Sequence, residues 1–205
     1  MKLKIAMGCA TAGSLMTKTA LSLIETVRLN PDLEIQPIFC YSGYIGENKA
    51  NIVDTAQKLL CSHVFFVDHD MEFPPNLLPK LLSTDEDIIG GMYYYKQMPL
   101  DPMLKYFKPD GEWTPKIEES TLKEIPNEIF EIAATGGGML LVKMSVFNKI
   151  KRPYFAMEQD EFGKRSMTED CGFFIKAQAK GYKVMCDPTI RIGHVGNYTY
   201  GSDKL

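Results

Sequence analysis

The chain has 205 residues, 26 acidic against 23 basic side chains, a formal charge of −3 and a sequence pI near 5.7. With 45% hydrophobic and 24% charged residues, its composition is globular and excludes a disordered chain, a collagen-like repeat and a fibrous coiled coil. The slight acidity disfavours nucleic acid as a partner, and cysteines 9, 40, 61, 171 and 186 form no C-x-x-C pair, which fits reduced thiols in a cytoplasmic-type compartment.

The apolar run after Lys2 and Lys4 is shorter than the roughly 7–15 residues of a secretory signal core. No stretch approaches the ~18 apolar residues of a membrane span, so no integral membrane segment is expected. Residues 3–7 read as a strand, 8–13 as a Gly/Thr/Ser turn, and 18–29 as an amphipathic helix stopped by Asn30-Pro31. A second strand follows at 33–39 and a second helix at 51–60. The segment 63–67 is apolar on both faces, as a central strand of a covered sheet is. Pro75 opens a helix to 82, and 87–90 is a fourth strand. This alternation predicts an α/β sheet with right-handed crossovers.

Beyond residue 91 the rhythm breaks. A tyrosine triplet at 93–95, prolines 99, 102, 109, 115 and 126, and a turn at 109–111 predict hairpins or irregular strands. Strands at 128–133 and 138–143 flank Thr135-Gly136-Gly137-Gly138, and Ser145 is expected to cap a short helix to 150. Residues 152–167, with Glu158, Asp160 and Glu161, read as a lid-like loop. A helix from Thr168 or Glu169 to 180, ended by Gly181, precedes strands near 183–185 and 189–195. With no internal repeat or linker, one domain is expected over 1–205, divided into halves 1–91 and 92–205.

The chemistry-bearing residues fall at the ends of these elements. Asp68 and Asp70 stand where the strand 63–67 runs out, and ligands of parallel sheets bind beyond the carboxyl ends of strands. In extended chain, residues i and i+2 face the same way, so the two carboxylates could share a divalent cation, or divide a metal and a ribose between them. The plainer alternative is a pair of turn residues before the next helix. Glu169 and Asp170 open a helix, where the dipole favours acids in any case; the sharper reading makes one of them a general base. His194, flanked by Gly193 and Gly196 on an apolar strand, is a candidate imidazole ligand, although a lone histidine there is more often structural. Tyr93, Tyr94, Tyr95, Trp113, Tyr154 and Phe155 could stack on sugar rings or simply pack.

Taken together and in order, Phe66-Val67-Asp68-His69-Asp70-Met71, Gly136-Gly137-Gly138-Met139-Leu140-Leu141, Thr168-Glu169-Asp170 and Ile192-Gly193-His194-Val195-Gly196 resemble the motif set of GT-A fold glycosyltransferases. The chain is similar in particular to the small family 2-like enzymes of phages, viruses and bacteria, over about residues 3–197. The resemblance implies a Rossmann-like single α/β domain with a mixed, mostly parallel central sheet and helices on both faces. It implies transfer of a sugar from a nucleoside-diphosphate sugar, a UDP-sugar being favoured, to a glycan, protein or other hydroxyl acceptor, with inversion, in the cytoplasm (the host's if the chain is viral). Ala10, Thr11 and Ala12 would receive the nucleotide base. Asp68 would meet the ribose or the metal, Asp70 and His194 would ligate Mn²⁺ or Mg²⁺, and His69, Gly137 and Gly138 would border the donor. Asp170, with Glu169 beside it, would be the base. In many phage relatives an Arg-Asn pair opens the helix before the D-x-D strand, where this chain has Ala50-Asn51, with Lys49 a candidate substitute for the basic contact.

Rival classes fit less well. A haloacid dehalogenase-type phosphatase wants its D-x-D on an early strand with Thr or Val two residues beyond, where Glu72 stands here. The chain lacks the glycine-rich segment expected near the N-terminus of a sugar nucleotidyltransferase, and Gly8 to Gly13 is not the G-x-G-x-x-G of a dinucleotide oxidoreductase. An inactive nucleotide- or glycan-binding module of the same fold is the non-enzymatic alternative.

Overall fold

The computed structural model describes residues 2–105, 125–159, 165–196 and 198–201. The expected turn at 109–111, prolines 109 and 115, Trp113, Asp160 and Glu161 lie outside these residues, as does the side chain of Glu158. The strands are β1 (Leu3–Thr11), β2 (Leu33–Tyr41), β3 (His63–Val67), β4 (Met71–Glu72), β5 (Ile88–Gly91), β6 (Leu104–Lys105), β7 (Phe130–Ile132), β8 (Ala134–Thr135), β9 (Met139–Lys143), β10 (Glu158–Gln159), β11 (Arg165–Met167), β12 (Val184–Asp187), β13 (Gly193–Val195) and β14 (Thr199–Tyr200). The helices are α1 (Thr17–Leu29), α2 (Ile45–Lys58), α3 (Leu77–Ser83), α4 (Met144–Lys149) and α5 (Glu169–Gln178).

The central sheet has seven strands in the order β2-β1-β3-β9-β5-β12-β7. β1 pairs in parallel with β2 and β3, and β12 with β5, whereas β9 runs antiparallel to both β3 and β5, and β7 to β12. β2, β1, β3, β5 and β12 therefore share one direction, giving the mixed, mostly parallel sheet that was expected. Alternation along the strands feeds two cores. Ala6, Val64, Phe66, Leu140 and Val142 pack under α2, α4 and α5 on one face, while Ile5, Met7, Phe65, Val67, Met139 and Leu141 pack under α1 and α3 on the other. Helices thus cover both faces.

Several boundaries differ from those expected. β1 continues to Thr11 because its ladder with β2 runs unbroken to Thr11↔Tyr41, so the turn is confined to the residues after it. Gly8 belongs to that strand. A Cβ there would come within 2.3 Å of Ile52 Cγ2, so the missing side chain lets α2 lie close on the sheet. α2 begins at Ile45, six residues before the expected start, and buries Asn48, Lys49, Ile52, Val53 and Ala56 along one face. Ser145 is not a cap: α4 begins at Met144, follows directly from β9, and has no side-chain cap at its N-terminus. Thr168 does cap α5, its hydroxyl oxygen accepting from Cys171 N at 3.4 Å. The segment expected as strand from 189 to 195 pairs only at Gly193–Val195, in a small sheet β14-β13-β4. Residues 152–167 include an antiparallel β10–β11 pair. Among the described residues no helix is long and apolar enough to cross a membrane.

Candidate active site

Several chain segments meet beyond the carboxyl ends of β1 and β3. The backbone leaves extended geometry after Asp68, and His69 and Asp70 form a turn into β4. The alternation rule for i and i+2 does not apply in a turn, and the two aspartates have different neighbours. Asp68 lies against the glycine strip, its backbone N–H donating to Gly138 O at 2.9 Å; a Cβ on Gly138 would stand 2.7 Å from Asp68 Oδ2. Asp70 faces His194 and Lys96.

The first cluster is built around Asp170. Lys49 Nζ, from α2, lies 2.5 Å from Asp170 Oδ1, and Gly137 N donates to Asp170 Oδ2 at 2.9 Å. Lys49 is 2% exposed and Asp170 15%. A Cβ on Gly137 would meet Asp170 Oδ1 at 2.4 Å and Lys49 Nζ at 2.5 Å, so only glycine leaves room for the pair. Burial pushes Lys49 down, but the charges of Asp170 and Asp68 prevail and hold its ammonium above the usual lysine range. Burial raises the Asp68 carboxyl above the ordinary carboxylate range; Lys49 counters part of this, and Asp170 and Asp70 add to the rise. Tyr93, buried below, accepts a hydrogen bond from Gly138 N at 3.2 Å through its hydroxyl. Burial, then the nearby Asp68 and Asp170 charges, keep that phenol protonated. Glu169 is near enough for its charge to act on Lys49.

The second cluster is built around Asp70. Its Oδ2 lies 2.5 Å from Lys96 Nζ, 3.6 Å from His194 Nε2 and 3.8 Å from His69 Nε2. His194 Nδ1 is 2.9 Å from the Tyr94 carbonyl oxygen. A carbonyl can only accept, so Nδ1 carries the proton and, in the neutral ring, Nε2 turns its lone pair toward Asp70. Burial opposes ionisation of Asp70, but the imidazolium form of His194, whose Nε2 can then donate, and the Lys96 ammonium prevail and hold the carboxyl well below its ordinary range. Burial, with the charges of Asp68 and Asp70, pushes the Cys9 thiol up to about 12, so in the metal-free site it is a protonated thiol at neutral pH.

A 3.6 Å separation of Asp70 Oδ2 and His194 Nε2 is one that two ligands at about 2.0–2.2 Å from a shared ion can span. Among the described residues no group of three or more His, Cys, Asp or Glu side chains is arranged to hold a metal ion. Asp70 and His194 could thus supply at most a pair of ligands, and the other positions of an ion held there would fall to ligand oxygens and water, as in many Mg²⁺ sites.

The turn after β1 is ordered by Thr11, whose Oγ1 accepts from Gly13 N at 3.0 Å and Ser14 N at 3.1 Å. Ala10 is in the core and Ala12 is exposed. Asn48, not Asn51, reaches this turn, with Nδ2 3.4 Å from Thr11 O. Asn51 lies on the outer face of α2, where Arg152 donates to its Oδ1 at 3.4 Å. Tyr93, Tyr154 and Phe155 are buried packing residues, and Phe155 stacks on Phe173 at 5.1 Å. Lys96 and Asn48 carried no motif signal in the sequence; that Lys49 and Asn48 share the helical face of Ile52 was the one available clue.

No protein-family model matches the sequence, and no curated protein matches it. Among solved structures, the fold resembles that of A197 from STIV, with a TM-score of 0.63 and 17% identity over 100% of this chain and 96% of that one. That likeness establishes a shared fold. Apo UDP-glucose pyrophosphorylase aligns at 0.48 with 10% identity over 98% of this chain and 92% of that one. Residues 1–349 of S. aureus TarS align at 0.42 with 16% identity over 93% and 59%. These two likenesses are too loose to bear on function.

Proposed function

We propose that the chain is a metal-dependent glycosyltransferase that moves a sugar from a nucleoside-diphosphate sugar, with UDP-sugars favoured, to a hydroxyl acceptor with inversion. The observation that carries this reading is the convergence of Asp68, Asp70, Gly137, Gly138, Asp170 and His194, from segments up to 126 positions apart in sequence, at the ligand-binding edge of the sheet. Asp170 takes the proton of the acceptor hydroxyl, with Lys49 and the Gly137 N–H fixing the orientation of its carboxylate. The side-chain-free strip at Gly137 and Gly138 admits the donor sugar beside that carboxylate. Asp68 accepts from the ribose, and the turn at Thr11 borders the base. Asp70 and His194 would hold Mn²⁺ or Mg²⁺, which when bound supplies Lewis-acid stabilisation of the diphosphate leaving group.

The test is release of nucleoside diphosphate from a panel of nucleotide sugars, with and without Mn²⁺. Slow Mn²⁺-dependent release is expected, lost in Asp70→Ala together with metal-dependent nucleotide binding. Asp170→Asn should keep donor binding, read as a rise in melting temperature, and lose transfer. Pyrophosphate release from a nucleoside triphosphate and a sugar 1-phosphate, with no diphosphate release, would instead make the chain a nucleotidyltransferase. Metal-independent binding without turnover would make it a binding module.

A further inference from the structure

Asp70 already holds a cation. The oxygen that faces His194 Nε2 at 3.6 Å, Oδ2, is the same oxygen that receives Lys96 Nζ at 2.5 Å. Its side chain is only 9% exposed, so water cannot compensate its charge and a counter-ion must. Lys96 is 34% exposed and sits on the turn after Tyr94, closed by hydrogen bonds from Tyr95 N to Asp101 O at 2.9 Å and from Gln97 Nε2 to Asp101 Oδ2 at 3.2 Å. The same turn supplies the Tyr94 carbonyl that orients His194. An ammonium and a divalent cation on one carboxylate oxygen stand at contact distance and repel strongly in a partly dry site, so binding of one weakens binding of the other.

We propose that Lys96 is an exchangeable placeholder for the divalent cation: it neutralises Asp70 in the free protein, leaves when the cation arrives, and re-pairs with the diphosphate oxygens of the donor. The inference rests on the transferase reading of the site. It gives Lys96 a role in binding order. A cation arriving alone must displace an ion pair and leave the lysine without a partner, so it binds weakly. Arriving with a nucleoside diphosphate, the displaced ammonium finds new anionic oxygens, so Lys96 adds to the coupling that shared ligation of the diphosphate already gives cation and nucleotide.

The test is calorimetric titration of Mn²⁺ into the full chain, alone and with UDP or GDP in excess, for the wild type, Lys96→Gln, Lys96→Arg and Asp70→Asn, each checked for folding by its melting temperature. In the wild type, the nucleotide should tighten Mn²⁺ binding by about tenfold or more, within the usual range of site-to-site coupling. Lys96→Gln should bind Mn²⁺ alone about tenfold more tightly than the wild type and show a smaller nucleotide enhancement, while Lys96→Arg follows the wild type. If Lys96→Gln binds Mn²⁺ no more tightly than the wild type while Asp70→Asn abolishes binding, the placeholder role falls and the metal site stands. If Asp70→Asn binds Mn²⁺ like the wild type, the metal site falls and takes the placeholder with it.

Discussion

Two aspartates of the site each carry a lysine at 2.5 Å, yet the pairs are built for different ends. Lys49 comes from the inner face of α2, is enclosed by Asp170, Gly137 and Phe155, and is 2% exposed. Lys96 comes from an irregular turn and keeps a third of its surface in water. A buried lysine has nowhere to go, so its pair is permanent and fixes the geometry of a neighbouring carboxylate. A lysine with a route to solvent can let go, so its pair can be exchanged. Equal distances therefore do not mean equal roles; the escape route of the cation decides between scaffold and switch.

The sharpest way to break this contrast is to remove the buried cation. Lys49→Met should cost about 3–5 kcal/mol in urea unfolding, because Asp170 and Asp68 are left near each other without compensation; adding Asp170→Asn should recover part of that loss. A loss under about 1 kcal/mol would show that the pair is no more built in than a surface one. Gly137→Ala comes next, at about 1–3 kcal/mol, since the new methyl must push apart a carboxylate and an ammonium that have no free space. It should also lower transfer activity more than nucleotide binding.

The pH response separates Asp68 from Asp70. The folded pKa of Asp70 is depressed, so it contributes stability above its ordinary value of 3.8, and this is lost as pH falls below that value. In metal-free buffer Asp70→Asn should be less stable than the wild type at pH 7, with the gap closing as pH falls below about 4. The folded pKa of Asp68 is raised, so its charge opposes folding above that pKa. Asp68→Asn should therefore be more stable than the wild type at pH 7, with the gain disappearing on acidification through the carboxylate range; gaps of the same sign in both variants would refute the split. A smaller effect belongs to Lys96→Gln, about 1–2 kcal/mol in urea unfolding, because Asp70 loses its ammonium but keeps His69 and His194 beside it. A loss above about 3 kcal/mol would make its pair as fixed as the buried one.

Much of the fold was legible because local pattern and burial agree. His63–Val67 is apolar on both faces and is the central strand it was expected to be, and α1 was misplaced by a single residue. α2 is longer than its local pattern suggests because Gly46, Asn48 and Lys49 look like loop residues, and the partners that hold Asn48 and Lys49 are remote, Thr11 lying 37 and Asp170 121 positions away. The carboxylates, the glycine strip and His194 were visible as motifs. Their grouping was not: which aspartate meets which lysine depends on the turn at His69 and Asp70 and on the fold of residues 92–103, neither of which periodicity reports. Lys96 follows three tyrosines in a proline-rich stretch, and nothing in that context marks a charge bound for the site.

β9 sits between β3 and β5 and pairs with both, although 47 residues separate it from β5 in the chain. During synthesis, the first 91 residues thus emerge with two of their four core strands lacking a neighbour. The nascent chain must hold these apolar edges, including Phe65 and Phe66, until Lys143 has left the ribosome, an interval of several seconds at about 5–20 residues per second. A fragment ending at Gly91 should accordingly depend on chaperones and aggregate when released, whereas one extended past α4 could close the middle of its sheet.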